Sequence, residues 1–221
     1  MINTLWTQLN SIKKGQSRPQ GFEQTQTKKV GILGAGMMGA GIAYVTAKAG
    51  IDVVLLDTEI TNAEKGKAYS ANILDKAISR QRATGEKKQA LLERITPTVS
   101  YDDLANCDLI IEAVFENREI KAKCTQQSEA VISNKAVYAS NTSTLPITGL
   151  AKASTRPNQF IGLHFFSPVD KMPLVEIIMG KQTDDATLAK AFDYVVQIGK
   201  TPIVVNDSHG FYTSRVFGTY V

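Results

Sequence analysis

The 221-residue chain has the composition of an ordinary globular protein, with 43% hydrophobic and 21% charged residues. This length is enough for one α/β core, or for one domain and part of another. No apolar run is long enough to cross a membrane, and the N-terminus lacks the pattern of a signal peptide, so we expect a cytoplasmic protein without a membrane span. Cys107 and Cys124 follow no ligand spacing, and we interpret them as small buried residues rather than a disulfide or a metal site.

The net charge of +4 is concentrated at the N-terminus. Residues 1–29 contain five basic residues and one acid, whereas the remaining residues contain twenty of each sign. The domain itself is therefore neutral, and its charge predicts no binding to nucleic acid.

Residues 1–27 have an organisation of their own. Apolar side chains recur at helical spacing in the first half, and a polar, linker-like composition follows from Gly15 to Thr27. The apolar set is Ile2, Leu5, Trp6, Leu9 and Ile12. The pattern predicts an amphipathic helix and a linker that dock on a partner surface, either on this domain or on one that precedes it.

Lys29 to Asp57 has the pattern of a strand, a glycine-rich turn, a helix and a second strand. The turn is Gly34-Ala35-Gly36-Met37-Met38-Gly39, with the spacing G-x-G-x-x-G. Gly34 permits the tight turn, Gly36 leaves the backbone open to a pyrophosphate, and Gly39 allows close packing of helix on strand. The glycine spacing alone is weak evidence for a dinucleotide site. Here, however, it occurs in the order that such a site requires, which is a strand, the turn, a helix, a second strand and an acid.

Asp57 ends the second strand of this unit. A carboxylate at that position accepts hydrogen bonds from the ribose hydroxyls of adenosine and repels a 2′-phosphate. The sequence therefore predicts NAD rather than NADP.

The rest of the chain alternates between helical and strand patterns. Helices are predicted at 62–83, where Gly85 ends the pattern, and at 87–94 and 117–132; strands are predicted at 95–100, 108–114 and 136–139. This alternation predicts an α/β fold with a doubly wound, mostly parallel sheet. Between Lys65 and Lys88, seven basic residues accompany two acids. They indicate a solvated helix face, or alternatively a surface for a substrate with several phosphates.

Ligands of such sheets bind at the carboxyl ends of strands, where polar residues cluster twice in the first part of the chain. Glu116 and Asn117 follow one strand, with Lys121 one helical turn later. Ser140-Asn141-Thr142-Ser143 follows the next strand. We expect one of these four to cap the helix before Ile147 as well.

A third strand end carries His164, the only histidine within an apolar run. Residues 160–166 and 174–178 have strand character, and a seven-residue loop separates them. If they pair as a hairpin, His164 and Glu176 are direct cross-strand neighbours. A lone histidine in such a place is usually a core residue, but a buried carboxylate requires a partner of this kind. The pair therefore predicts a base and its orienting group.

Together these segments closely resemble the L-3-hydroxyacyl-CoA dehydrogenases over residues 28 to 221. The segments are Gly34–Gly39, Glu116-Asn117, Ser140–Ser143, His164-Phe165-Phe166-Ser167-Pro168 and Leu174-Val175-Glu176. The resemblance implies a Rossmann-type NAD domain at residues 28–207 and the start of a helical domain at 208–221. The N-terminal segment resembles the linker after an enoyl-CoA hydratase module in multifunctional fatty-acid-oxidation α-chains, which act with a thiolase subunit.

The resemblance also implies roles for individual residues. His164 would be the general base that takes the hydroxyl proton of an acyl-CoA substrate, Glu176 would orient it, and Ser143 would lie near that hydroxyl. The residues implied in contacts with NAD are Gly34, Gly36, Met37, Met38, Gly39, Asp57, Glu116, Lys121, Ser143 and Ser167.

The sequence departs from the family pattern at two serines and in length. Many members have Asn in place of Ser167 and of Ser214, and the carbonyl-assisting role of the second Asn is therefore not carried over to Ser214. Asn206 to Phe211 resembles the hinge into the helical domain, and the chain ends at Val221. We expect it to be the cofactor half of a longer protein, with low activity alone because the part that excludes water is missing.

Two alternatives remain open. One is a stand-alone 3-hydroxybutyryl-CoA dehydrogenase, which the N-terminal linker disfavours. The other is a non-catalytic NAD-binding protein like lambda-crystallin, which the presence of both His164 and Glu176 disfavours.

Overall fold

The computed structural model describes residues 7, 10–12 and 15–219. Ile12 is helical, whereas Ile2, Leu5, Trp6 and Leu9 of the predicted amphipathic helix lie outside the described residues. Within the described part, eight strands form one sheet. They are β1 (Lys29–Leu33), β2 (Asp52–Leu56), β3 (Ile95–Thr98), β4 (Leu109–Glu112), β5 (Val137–Ser140), β6 (Phe160–Phe165), β7 (Leu174–Met179) and β8 (Thr201–Asn206).

The strand order is β3-β2-β1-β4-β5-β6-β7-β8, and only β6 and β7 are antiparallel neighbours in it. This arrangement confirms the predicted α/β, doubly wound, mostly parallel sheet. Besides the helical residues 7 and 10–12, the α-helices of the described residues are α1 (Met37–Lys48), α2 (Ile60–Ser79), α3 (Gly85–Glu93), α4 (Arg118–Glu129), α5 (Ile147–Leu150), α6 (Asp185–Gln197) and α7 (Thr213–Phe217). None of the described helices is long and apolar enough to cross a membrane.

The break between α2 and α3 does not lie where the sequence predicted it. α2 ends at Ser79, and Gln81 then adopts a φ of 57°, which leaves the helical path several residues before Gly85. Gly85 does not end a helix but begins α3, because Thr84 caps it by accepting a hydrogen bond from the Lys87 N–H. The prediction of a glycine break was therefore wrong.

Each face of the sheet carries its own hydrophobic core, because successive strand residues point to opposite sides. Ile32 packs in the core that includes residues of α1, α2 and α6, and its neighbour Leu33 packs in the core that includes residues of α4 and α5. Cys107 and Cys124 are buried in this second core with free thiols, as expected of small apolar residues.

The segment with linker-like composition is hydrogen-bonded to α6. The Arg18 guanidinium donates to both carboxylate oxygens of Asp193, at 2.7 and 2.9 Å, and the Thr25 N–H donates to the same carboxylate at 2.8 Å. Further along, Thr27 exchanges two hydrogen bonds with the side chain of Gln197. The sequence left the docking surface open, and for residues 18–27 the contacts lie on this domain.

The Arg18–Asp193 ion pair should stabilise the fold at neutral pH. The Asp193 side chain is only 3% exposed, so Arg18→Met leaves a buried charge with Thr25 as its remaining partner. We expect a loss of about 3 kcal/mol in the free energy of unfolding, measured by urea denaturation at pH 7. Arg94→Met, which breaks the exposed ion pair with Asp52, is the control and should cost less than about 1 kcal/mol.

The effect of Arg18→Met should also depend on pH. Burial raises the pKa of Asp193, but the bonds from Arg18 and Thr25 outweigh burial, and the pKa is lowered overall. The contribution of the pair is therefore complete above the ordinary carboxyl pKa of about 3.9 and is lost as the pH falls through the lowered value. Equal stability of the Arg18→Met and unmodified proteins at pH 7 would contradict this account.

Candidate active site

The glycine turn between β1 and α1 combines tight packing with an open approach. Gly34 has a φ of +91°, and a Cβ built on it would lie 2.8 Å from the Ala113 carbonyl oxygen. A Cβ on Gly39 would lie 1.8 Å from the Gly34 carbonyl oxygen, which no side chain could tolerate. At Gly36, by contrast, a Cβ would meet no atom of the described residues within 4 Å.

Gly36 is also the N-cap of α1, and it has no side chain to occupy the N–H groups of the first turn. Free N–H groups at a helix N-terminus attract phosphate oxygens. The turn therefore fits a pyrophosphate, with Gly34 and Gly39 required for its shape and Gly36 facing open space.

Asp57 follows β2 and lies directly beside this turn. Its Oδ2 accepts the Ala35 N–H at 2.7 Å, and its Oδ1 accepts the Thr58 N–H at 2.8 Å. Oδ1 also accepts longer hydrogen bonds from the Thr58 hydroxyl at 3.3 Å and the Asn62 amide at 3.4 Å. Together these bonds fix the carboxylate, and Oδ2, with one donor, keeps further acceptor capacity. The arrangement fits the predicted contact with a ribose, which remains a prediction.

A buried ion-pair network joins the ends of β4 and β5. The Lys121 ammonium, 2% exposed, lies 2.8 Å from Glu112 Oε1 and 3.2 Å from Glu116 Oε2. Glu112 is equally buried, and its Oε2 accepts a hydrogen bond from the Ser140 hydroxyl at 2.7 Å. Lys121 thus binds two carboxylates of the protein, and its predicted contact with NAD remains a prediction.

Glu116 in turn holds the loop that carries Ser143. Its Oε1 accepts the Ser143 N–H at 3.1 Å and a short hydrogen bond from the Thr142 hydroxyl. Burial raises the pKa of Glu116, but the bond from Thr142 and the charge of Lys121 outweigh burial, and the pKa is lowered. Glu116 is therefore an anion at neutral pH, and Ser143 lies exposed at the edge of the loop.

The predicted helix cap among residues 140–143 was wrong. Thr142 accepts the Leu145 N–H, which orders the loop rather than the helix. α5 begins after Pro146, and its first N–H groups donate to the carboxylate of Asp207 instead. Asp207 follows β8, far along the chain, and no local pattern indicated this contact.

His164 and Glu176 are paired as the hairpin predicts. They are directly opposite each other in the β6–β7 register, and His164 Nδ1 lies 2.7 Å from Glu176 Oε2. Glu176 is fully buried, and His164 is 7% exposed with its ring 4.5 Å from that of Phe166. The pair stands on β6 and β7 at the same edge of the sheet as the loop of Ser143.

The charge state of Glu176 determines which nitrogen of His164 is available. Burial raises the pKa of Glu176, but the hydrogen bonds from His164 and from the Thr213 N–H outweigh burial, and the pKa is lowered. An ionised carboxylate only accepts, so Nδ1 carries the proton and Nε2 is left with a free lone pair. The arrangement can therefore accept a proton at Nε2.

The hairpin and the glycine turn meet in space. The Ser167 hydroxyl lies 3.7 Å from the sulfur of Met37, and a Cβ on Gly41 in α1 would lie 2.8 Å from the side chain of Val169. Met37 is largely exposed at the turn, whereas Met38 packs against the core. The structure thus brings the predicted site residues to one edge of the sheet, and it adds Glu112 and Asp207, which the sequence did not indicate.

An open, mostly parallel sheet with a glycine turn and an acid after β2 defines a dinucleotide-binding domain, and the buried His–Glu pair fits a dehydrogenase. The family described as "3-hydroxyacyl-CoA dehydrogenase, NAD binding domain" matches residues 29–208, and the chain belongs to this family.

Solved structures of similar proteins agree with this assignment. (S)-3-hydroxybutyryl-CoA dehydrogenase PaaH1 from Ralstonia eutropha is 42% identical, with a TM-score of 0.84 over 87% of this chain and 68% of that one. 3-Hydroxybutyryl-CoA dehydrogenase from Escherichia coli K12 is 30% identical, with a TM-score of 0.80 over 83% and 39% of the two chains. The dehydrogenase part of multifunctional enzyme 1 from C. elegans is 28% identical, with a TM-score of 0.77 over 89% and 44%. The chain therefore spans less than half the length of two of these three structures.

The Lys121 network yields a stability prediction. Lys121→Met leaves the buried Glu112 without its cation, and we expect a loss of about 3–5 kcal/mol in the free energy of unfolding. The double variant Glu112→Gln/Lys121→Met should recover most of this loss, because the uncompensated buried charge is gone. Lys123→Met, an exposed position on the same helix, is the control. Urea denaturation measures all four proteins, and a single Lys121→Met variant as stable as the control would contradict the network.

Proposed function

We propose that the chain carries the cofactor-binding and proton-accepting part of an enzyme that oxidises (S)-3-hydroxyacyl-CoA to 3-oxoacyl-CoA with NAD, a step of fatty acid β-oxidation. The observation that supports this most strongly is the buried His164–Glu176 pair at 2.7 Å, on the sheet edge that also carries the glycine turn. Membership of the dehydrogenase family supports the same reaction.

The residues around the turn fit NAD. The first-turn N–H groups of α1 would bind the pyrophosphate, Asp57 would accept from the adenosine ribose, and Glu116 and Ser143 would lie toward the nicotinamide end. When bound, NAD would accept the hydride from C3 of the substrate. The protein has to position the substrate and accept the proton of its hydroxyl group.

His164 supplies the proton acceptor. The hydroxyl of the substrate loses its proton to Nε2 as the C3–H bond gives up its hydride, so a carbonyl forms at C3. Glu176 keeps Nδ1 protonated and stabilises the imidazolium that results. In the reverse direction the same imidazolium returns the proton to the oxygen.

The protein that contains this domain is either a multifunctional chain, as the resemblance implies, or a stand-alone 3-hydroxybutyryl-CoA dehydrogenase. Both kinds of protein are represented among the similar structures, which supports each of these two forms. A cytoplasmic location, a preceding hydratase module and a thiolase partner remain predictions. Turnover by the natural full-length protein would exclude a non-catalytic role like that of lambda-crystallin.

The preference for NAD should depend on Asp57. The unmodified chain should bind NAD at least about tenfold more tightly than NADP, a difference of about 1.4 kcal/mol. Asp57→Ala should narrow the gap by removing the repulsion of a 2′-phosphate, and Asp57→Asn should do so while keeping an acceptor for the Ala35 N–H. Calorimetry with both cofactors measures the ratio. Equal affinities in the unmodified chain would exclude the assigned role of Asp57.

Turnover should depend on His164 and Glu176, whereas NAD binding should not. In the natural full-length protein, we expect His164→Ala to lower kcat by about 10²–10⁴-fold, the range for loss of a general base. Glu176→Gln should also lower kcat, because one amide oxygen cannot serve both His164 and the Thr213 N–H.

Steady-state kinetics and calorimetric NAD binding test this pair together. Lys123→Met, which changes an exposed side chain with no assigned role in the site, is the control and should retain normal turnover. Near-normal kcat in His164→Ala would mean that His164 is a structural core residue.

A further inference from the structure

The segment that follows β8 and ends at the first residue of α7, residues 207–213, lies against the His164–Glu176 pair. Glu176 Oε2 bonds with His164, whereas Oε1 accepts the N–H groups of Thr213 at 2.8 Å and Tyr212 at 3.3 Å. The β6–β7 pairing thus brings one donor to the buried carboxylate, and this segment brings the other two.

The β6–β7 pairing alone does not fix the Glu176 carboxylate. The cross-strand register determines the positions of the two Cβ atoms. It does not determine the orientation of the carboxylate, because the χ3 torsion of a glutamate has a broad distribution and follows the positions of the hydrogen-bond donors. With donors on both oxygens, the carboxylate plane is held and one oxygen points at Nδ1. The 207–213 segment is therefore part of what orients the histidine.

Asp207 anchors one end of the segment to α5. Its Oδ1 accepts the Ile147 N–H at 2.7 Å, and its Oδ2 accepts the Thr148 N–H at 2.8 Å and a short bond from the Thr148 hydroxyl. These bonds replace the side-chain cap that α5 lacks at Pro146. Residues 147 and 148 follow the Ser143 loop, so Asp207 links that loop to the partners of Glu176.

The other end of the segment is an unfavourable turn that is held by packing. Gly210 and Phe211 have φ values of +70° and +49°, and the second is disfavoured for a residue with a bulky side chain. Phe211 is 2% exposed, and its ring centroid lies 6.0 Å from that of His164. Such a conformation persists only where its surroundings determine it, and the Asp207 anchor supplies part of that constraint.

We propose that Asp207 is a positioning residue for the His164–Glu176 pair: by anchoring the 207–213 segment to α5, it places the Thr213 N–H on Glu176 and so holds His164 with its proton on Nδ1. This role rests on the proposed function for its use in catalysis, but the geometry that it controls is measurable without substrate. Without the Thr213 N–H, a fully buried carboxylate oxygen loses its best donor and the carboxylate is free to turn.

The test uses the imidazole of His164 as a reporter. The chain has two histidines, so a His209→Gln background leaves His164 as the only one. Long-range ¹H–¹⁵N correlation spectra at neutral pH then report which ring nitrogen carries the proton, and the exchange rate of the Nδ1 proton reports how firmly it is held. Asp207→Ala and Asp207→Asn are measured in this background.

Asp184→Asn is the matched control, because Asp184 also caps a helix by accepting a backbone N–H, that of Thr187 at 2.7 Å, on α6. We expect the background protein and the control to show a single Nδ1–H tautomer. Asp207→Ala should give averaged ring nitrogens and Nδ1 proton exchange at least about tenfold faster. Asp207→Asn should act in the same direction, because its amide NH₂ would face an N–H donor.

If Asp207→Ala does not fold, the tautomer and the Nδ1 exchange rate of Asp207→Asn decide whether Asp207 positions His164. A folded Asp207 variant with the tautomer and exchange rate of the control would overturn the proposal, whatever the turnover of the enzyme. If the Asp207 variants lose the single tautomer and the unmodified natural full-length protein does not oxidise 3-hydroxyacyl-CoA, the positioning role stands and the proposed function is refuted.

Discussion

A carboxylate with no solvent exposure, that of Glu176, is the constraint on which the rest of the site depends. A buried charge is tolerated only when its oxygens are matched by donors. Here one donor comes from the facing strand and the others come from the segment after β8. Because the Glu176 carboxylate requires donors from both places, it links the β6–β7 hairpin to the last part of the described chain. Its bond to Nδ1 leaves Nε2 of His164 as the acceptor.

The sheet explains why these groups share one edge with the glycine turn. β1, β2, β4 and β5 run parallel, so the turn, Asp57, Glu116 and the Ser143 loop all follow strand ends on the same side. The reversal between β6 and β7 lets a residue near the end of one strand face a residue near the start of the next. The fold thus places the proposed cofactor contacts along the parallel strands and the proposed proton acceptor on β6 and β7, the antiparallel pair of the described sheet.

A series of buried ion pairs supports the loop at this edge of the sheet. Glu112 is only 1% exposed and pairs with Lys121, which also binds Glu116. Glu116 in turn accepts a backbone N–H of the Ser143 loop. The cost of burying these charges is offset by hydrogen bonds on nearly every oxygen, so the loop is fixed before any ligand binds. Such preorganisation is what transfer of a hydride and a proton to separate acceptors requires.

The sequence was sufficient for interactions set by local spacing and insufficient for those between distant segments. The seven-residue loop between two apolar runs fixed the register of His164 and Glu176, and the glycine spacing fixed the turn. Glu112, in contrast, stands within an apolar strand and gives no sign of its cation nine residues on. Asp207 and α5 are about 60 residues apart, and Arg18 and Asp193 about 175, so only the folded chain brings them together.

A structure of the chain with bound NAD would show whether His164 lies where the base of the reaction must be. For proton transfer, the substrate hydroxyl oxygen must lie within about 3 Å of His164 Nε2. For hydride transfer, the C3 atom that carries this oxygen must lie about 3–3.5 Å from the nicotinamide. Only one substrate carbon and its oxygen can therefore separate Nε2 from the nicotinamide. The account predicts that the nicotinamide C4 lies within about 7 Å of Nε2, with Nδ1 still bonded to Glu176. A nicotinamide bound beyond the reach of one substrate carbon, or an imidazole turned with Nδ1 toward the cofactor, would contradict it.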